Sequence, residues 1–148
     1  MGQIIGIDAS IFMYVWNKNP DFYQKSLAVL NQIENSNVKG VFSRIGLIEI
    51  LTGPKKLKRL SLASYYKQKI LSFPNLTIKD LNDDVVELAS DLRAAYGLSM
   101  ADAIHIATAI DAGAEKFVTN DKALKKVKEI TIELLASRHW HKNKSHVL

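Results

Sequence analysis

The sequence predicts an α/β fold in which one parallel sheet is covered by helices on both faces. Short apolar runs of strand length alternate with segments of helical periodicity, the pattern of a parallel sheet with crossover helices. Two of those runs are followed by an aspartate, directly at Asp8 and after Asn120 at Asp121, the strand ends where open α/β sheets form their sites. At 148 residues the chain has the usual size of one domain and can bury a real core.

Gln3 to Ile7 reads as a buried strand that turns at Asp8-Ala9-Ser10. Ser10 is a candidate cap for a short apolar helix from Ile11 to about Trp16, which Asn17 to Pro20 breaks. The next helix is expected from Asp21 to about Asn35, with Phe22, Leu27, Leu30 and Ile33 on its apolar face. Gly40 to Ser43 forms a second strand. Ser43 then caps a helix carrying Leu47, Ile48, Ile50 and Leu51, which Gly53-Pro54 is expected to stop. Leu57, Leu60, Ala63, Tyr66 and Ile70 keep helical spacing, so a basic amphipathic helix is expected to about Ser72.

After the Phe73-Pro74-Asn75 break, Leu76 to Lys79 alternates like a strand. Asn82 caps the following helix, whose first turns hold Asp83, Asp84 and Glu87 and which Gly97 ends. Ser99 caps another, Met100 to about Ala112, apolar nearly all round and therefore buried. Lys116 to Thr119 is the fourth strand. Asn120 or Asp121 caps a short basic helix, and Glu129 to Leu135 supplies the last strand. Neither a repeat nor a linker interrupts residues 1–137, read as one domain; residues 138–148 read as a basic, flexible tail.

The apolar fraction of 47% and charged fraction of 24% are ordinary for a globular protein and exclude a disordered chain. Absence of cysteine excludes disulfides and cysteine-based zinc sites. Met1 to Ile7 is too short for a signal peptide before the first charge, and no apolar run reaches the length of a membrane span; a cytoplasmic protein with no membrane partner is expected. The net charge of +5 is uneven. Ile50 to Lys79 holds seven basic residues and no acid, whereas Asp80 to Glu115 holds eight acids and only Arg93. Lysines in such a run commonly just solvate a helix face. Lys55, Lys56, Lys58 and Arg59 are the candidates for contact with a polyanion, RNA in the reading below.

Four acids stand in contexts that ask for a cation. Asp8 and Asp121 follow strands. Glu49 sits in Leu47-Ile48-Glu49-Ile50-Leu51, and Asp102 in Ser-Met-Ala-Asp-Ala-Ile-His-Ile-Ala. An unpaired carboxylate on an apolar element needs a partner, a cap or an ion. Each has a plainer explanation: Asp121 as an N-cap, Asp102 in a capping box with Ser99, Glu49 as a solvated position, Asp8 as the start of a turn. Together, with no Lys or Arg placed to neutralise them, they favour a hard-cation site. Oxygen-only ligands select Mg2+ or Mn2+, metals that hydrolyse phosphodiesters. His105 lies one turn beyond Asp102 and reads first as a hydrogen-bonded structural residue. His139, His141 and His146, near the chain end, are weak metal candidates. Phe12, Tyr14 and Trp16 suit core or dimer contacts better than base stacking.

Four segments carry a family resemblance: Ile4 to Ser10, Ile48-Glu49-Ile50-Leu51-Thr52-Gly53, Leu98 to Ala109, and Phe117-Val-Thr-Asn-Asp121. In order and spacing they resemble a PIN domain. The resemblance implies a three-layer α/β/α sandwich and a Mg2+- or Mn2+-dependent endoribonuclease. Asp8, Glu49, Asp102 and Asp121 match the family's acidic quartet. Ser10 and Thr119 match supporting hydroxyl positions, with Asn120 beside them. Small PIN proteins of this length resemble VapC-type toxins, which implies an antitoxin partner and a homodimer.

Other classes fit less well. A haloacid-dehalogenase-type phosphotransferase wants Asp-x-Asp after strand one, where this chain has Asp8-Ala9-Ser10. A ribonuclease-H-like fold continues through antiparallel strands, and a dinucleotide enzyme shows a Gly-x-Gly-x-x-Gly turn. The remaining rival is a non-catalytic PIN-like module that binds RNA or protein, against which the complete quartet argues.

Overall fold

In a computed structural model that describes residues 2–136, side-chain alternation along the strands decides which helix packs where. Five strands, β1 (Gln3–Ile7), β2 (Val38–Ser43), β3 (Leu76–Lys79), β4 (Lys116–Thr119) and β5 (Thr131–Leu134), form one sheet in the order β3-β2-β1-β4-β5. Every pairing is parallel. Successive residues of a strand face opposite sides of a sheet. Ile5, Ile7, Phe42 and Val118 accordingly enter one core, while Val41, Phe117 and Ile132 enter the other.

The first core is closed by α1 (Ala9–Trp16), α2 (Tyr23–Glu34), α3 (Ile45–Lys56) and α4 (Leu60–Leu71), through Ile11, Phe12, Val29, Leu30, Leu47, Ile50 and Ile70. The second is closed by α5 (Asp83–Tyr96) and α6 (Met100–Asp111), through Val85, Leu92, Ala103, Ile106 and Ala107, with a 3-10 turn at Lys122–Lys126. The result is the expected α/β/α arrangement.

Two close approaches fix the helices nearest the site. A Cβ at Gly6 would lie 2.4 Å from the Ala109 Cβ, so glycine lets α6 settle against β1. A Cβ at Gly46 would meet the Phe42 ring at 2.2 Å, so glycine lets the start of α3 lie on that ring.

Several boundaries differ from the sequence expectation, each for a local reason. Asp8, not Ser10, caps α1: its carboxylate accepts from the Ser10 backbone N–H. Asn19 Oδ1 accepts from the N–H groups of Asp21 and Phe22, which holds those residues in a turn, and α2 begins at Tyr23. Gly53-Pro54 does not stop α3, which runs to Lys56. Pro54 removes one hydrogen bond near the helix end, and Gly53 offers no Cβ to the proline ring. The helix ends instead at Leu57, and Lys58 turns the chain with φ +57°, so the basic helix starts at Leu60. The last strand is shorter than expected, Thr131–Leu134. The basic tail, with His139, His141 and His146, lies outside the described residues.

Candidate active site

The site forms where β1 and β4 end side by side. Ile7 pairs with Val118, so Asp8, just past β1, lies beside Thr119, the last residue of β4. Thr119 Oγ1 donates to Asp8 Oδ2 at 2.7 Å and accepts from the Asp121 N–H at 3.2 Å. On the other carboxylate oxygen, Asp8 Oδ1 accepts from the backbone N–H of Ser10 at 3.1 Å and from the Ser10 hydroxyl. Both oxygens of Asp8 are thereby fixed by hydroxyls of neighbouring elements. Burial pushes the Asp8 carboxyl above the ordinary carboxylate value, and the hydrogen bonds from Ser10 and Thr119 offset part of that rise.

Asp8, Glu49, Asp102 and Asp121 line a single open cavity of about 430 Å³, together with Ser10, Met13, Tyr14, His105, Thr119 and Asn120. Four segments deliver the acids: the end of β1, the middle of α3, the first turn of α6 and the residue that follows Asn120 after β4. Among the described residues, no Lys or Arg lines the cavity. Asp121 also caps the 3-10 turn, accepting from the Ala123 N–H at 2.9 Å. Asp102 does not close a capping box. Its backbone N–H donates to Ser99 Oγ at 3.1 Å, and its carboxylate has no hydrogen-bond or ion-pair partner among the described residues.

Glu49 is held from the side. His105 Nε2 stands 2.6 Å from Glu49 Oε1, with the imidazole buried and the glutamate half exposed. His105 thus has the hydrogen-bonded role expected for a histidine on an apolar helix, but its partner is one of the four acids.

The basic residues stand elsewhere. Lys55, Lys56, Lys58 and Arg59 are exposed, at the end of α3 and in the turn after it. Lys55 follows Glu49 by six residues on the same helix, about 9 Å of axial rise. A smaller, mainly apolar cavity of about 230 Å³ adjoins, lined by residues that include Trp16, Leu57, Arg59 and Tyr66, and it shares Met13 with the acidic one. Phe12 is core and stacks on Trp16, which stacks in turn on Tyr66 at 4.1 Å. Tyr14 belongs to the acidic cavity, where its hydroxyl accepts from Asn120 Nδ2 at 3.2 Å. Six residues from Asp8 is not a same-face helical spacing, so periodicity gave no signal for Tyr14 beyond its place on the short helix that begins at the first acid.

The donors suit a hard divalent cation. They are oxygens, one of the carboxylates has no protein partner among the described residues, and the partly buried Asp8 carries a desolvation cost that a cation would relieve. Among the described residues, no three His, Asp or Glu side chains converge tightly enough to grip a metal by themselves. Mg2+ is commonly held by only one or two carboxylates with waters and phosphate oxygens completing its shell, so the arrangement remains compatible with it.

Comparison with known proteins gives the family. The model of the PIN domain matches residues 5–130. The chain belongs to the PIN-domain family. No curated protein sequence matches it. Among solved structures this PIN domain is similar to a chain of VapBC2 from Rickettsia felis, solved with a DNA fragment from its promoter, at 25% identity and a TM-score of 0.69 over 89% of this chain and 98% of that one. A toxin-antitoxin complex from Klebsiella pneumoniae matches at 19% identity and a TM-score of 0.63, over 88% and 96% of the two chains. VapC20 of Mycobacterium tuberculosis, described as a sarcin-ricin loop cleaving toxin, matches at 16% identity and a TM-score of 0.62, over 78% and 87%. At those identities the last two share the fold. No helix among the described residues of this PIN domain is long and apolar enough to cross a membrane.

Proposed function

We propose that this PIN domain is a Mg2+- or Mn2+-dependent endoribonuclease and the toxin of a toxin–antitoxin pair. The observation that carries the reading is the cavity itself: four acids from four segments face one space with no Lys or Arg among its described lining residues. Asp8, Asp102, Asp121 and Glu49 are the residues that would hold the ion. When bound, such an ion stabilises charge on phosphodiester oxygens and lowers the pKa of coordinated water.

The chain's own groups do the rest. Ser10 and Thr119 orient Asp8 through both of its oxygens. Asn120 and Tyr14 brace each other at the cavity wall. Glu49, at the half-exposed edge and held by His105, would complete the set of acids around the ion. Lys55, Lys56, Lys58 and Arg59 neutralise phosphates of the RNA strand beyond the cavity. RNA as substrate is supported by the description of VapC20, and an antitoxin by the toxin–antitoxin complex among the similar structures. An antitoxin that covers this cavity would present an Arg or Lys to the clustered acids. A homodimer belongs to the same reading.

The test is RNA cleavage by the purified protein in Mg2+ or Mn2+, with arrest by a chelator. A protein that binds RNA with the metal present but leaves it intact would be the non-catalytic module instead.

A further inference from the structure

The buried imidazole between α6 and α3 has a defined hydrogen-bonding state. His105 is 3% exposed, and its Nδ1 is buried without a partner among the described residues. Its ring lies along that of Phe42, with centroids 5.7 Å apart. Nε2 stands 2.6 Å from Glu49 Oε1. A carboxylate oxygen accepts only, so a lone pair on Nε2 would face a lone pair on oxygen. A proton on Nδ1 would also leave a buried N–H with no acceptor, which is costly. The tautomer that satisfies both atoms best carries its proton on Nε2 and donates it to Glu49.

This contact settles the direction of a side chain that is otherwise loose. The Glu49 side chain is 41% exposed, and His105 is its only hydrogen-bond partner among the described residues. A glutamate loses substantial rotamer entropy when one geometry is imposed on it. His105 is rigid by contrast, packed on Phe42 and one turn from Asp102 on the same helix. The helix face that delivers Asp102 to the cavity therefore also delivers the clamp for Glu49.

We infer that His105 is a positioning residue: the neutral imidazole, donating from Nε2, clamps the Glu49 carboxylate so that α3 and α6 present Glu49 and Asp102 to the cavity as one unit. Its role is exerted through Glu49, the one side chain it is hydrogen-bonded to among the described residues. The inference rests on the nuclease reading only where turnover is measured.

The test compares His105→Gln, whose amide N–H can reach the place of Nε2, with His105→Asn, whose shorter side chain cannot. Three measurements on the full chain separate the possibilities. In metal-free protein, 15N spectra should show His105 with a protonated, pyrrole-type Nε2 and a pyridine-type Nδ1, assigned by their loss in the Gln variant. Titration with Mn2+ alone should show His105→Asn weakened about 10- to 100-fold, the range for removing a group that orients a ligand, with His105→Gln close to wild type. With RNA, His105→Asn should lower kcat while leaving KM within about twofold, and His105→Gln should restore kcat. An Nδ1-protonated ring, or Gln and Asn variants with equal Mn2+ affinity and equal kcat, would overturn the inference. If wild type cuts no RNA, the nuclease reading fails, while the spectra and the Mn2+ titration still decide the role of His105.

Discussion

Glu49 and His105 lie 56 residues apart in the chain and 2.6 Å apart in the fold, joining the middle of α3 to α6 in the wall of the acidic cavity. The link has a thermodynamic consequence that needs no substrate. In a double-mutant cycle in chelator, Glu49→Gln and His105→Phe should be coupled by about 1 kcal/mol, the modest end of the range for residues in contact, because the glutamate is half exposed. Denaturant melts of the four proteins measure it. Additive effects would mean that the pair contributes nothing in solution.

Deleting a candidate ligand should cost more than deleting its support. Asp8→Asn and Asp102→Asn are each expected to lower RNA cleavage by at least about 100-fold, beyond the roughly 10- to 100-fold typical of supporting groups such as Thr119. Asn keeps the volume and, at residue 8, an oxygen for the Ser10 N–H. At residue 102 the helix cap survives, because Ser99 receives the backbone N–H of that residue. Both variants should therefore remain folded by circular dichroism. Cleavage at the wild-type rate by both would remove these acids from the mechanism.

The exposed cations at the end of α3 should act on RNA by charge alone. Replacing Lys55, Lys56, Lys58 and Arg59 by Ala should weaken binding to unrelated single strands by similar factors. It should also flatten the dependence of log K on log salt by roughly 0.7 for each phosphate that the variant no longer neutralises. None of the four lines the acidic cavity, so the cleavage rate at saturating RNA should change little. A salt slope identical to wild type would return them to the role of a solvated helix end.

The sheet and the positions of the four acids were legible because they rest on local patterns. Each strand is a short apolar run, and the acids either follow a strand within two residues, as Asp8 and Asp121 do, or interrupt an apolar helix, as Glu49 and Asp102 do. The boundaries were less legible where a side chain overrides the backbone signal. Asn19 holds Asp21 and Phe22 out of α2, and Asp8 takes the capping role that Ser10 could have filled. Gly53-Pro54 reads as a stop, yet the helix carries it for one further turn. The partners of Glu49 and Asn120 were not legible. Nothing local joins residue 49 to His105, or Asn120 to Tyr14 across 106 positions; those pairs exist only once the helices are packed.

The last prediction concerns the cost of an empty, charged cavity. Burial raises the folded-state pKa of Asp8, so ionising it disfavours the fold. The sign follows from linkage. The contribution of Asp8 to stability is fully present below its unfolded value, about 3.9, and is lost as pH rises through the higher folded value. At neutral pH in chelator, Asp8→Asn, which resembles the protonated form, should therefore melt above wild type. That difference should shrink as the pH is lowered toward the unfolded value. Other carboxylates titrate in both proteins and cancel in the comparison. Divalent cations should reverse the order, because they bind the folded cavity and depend on the charge that the variant lacks. At about a hundred times its dissociation constant, an ion adds roughly 2.7 kcal/mol to wild type. Thermal melts of the two proteins across pH, with Mn2+ and with chelator, decide the matter. An Asn variant less stable than wild type in chelator at neutral pH would mean that the Ser10 and Thr119 hydrogen bonds outweigh desolvation, and that Asp8 is a structural cap rather than a strained, ion-seeking carboxylate.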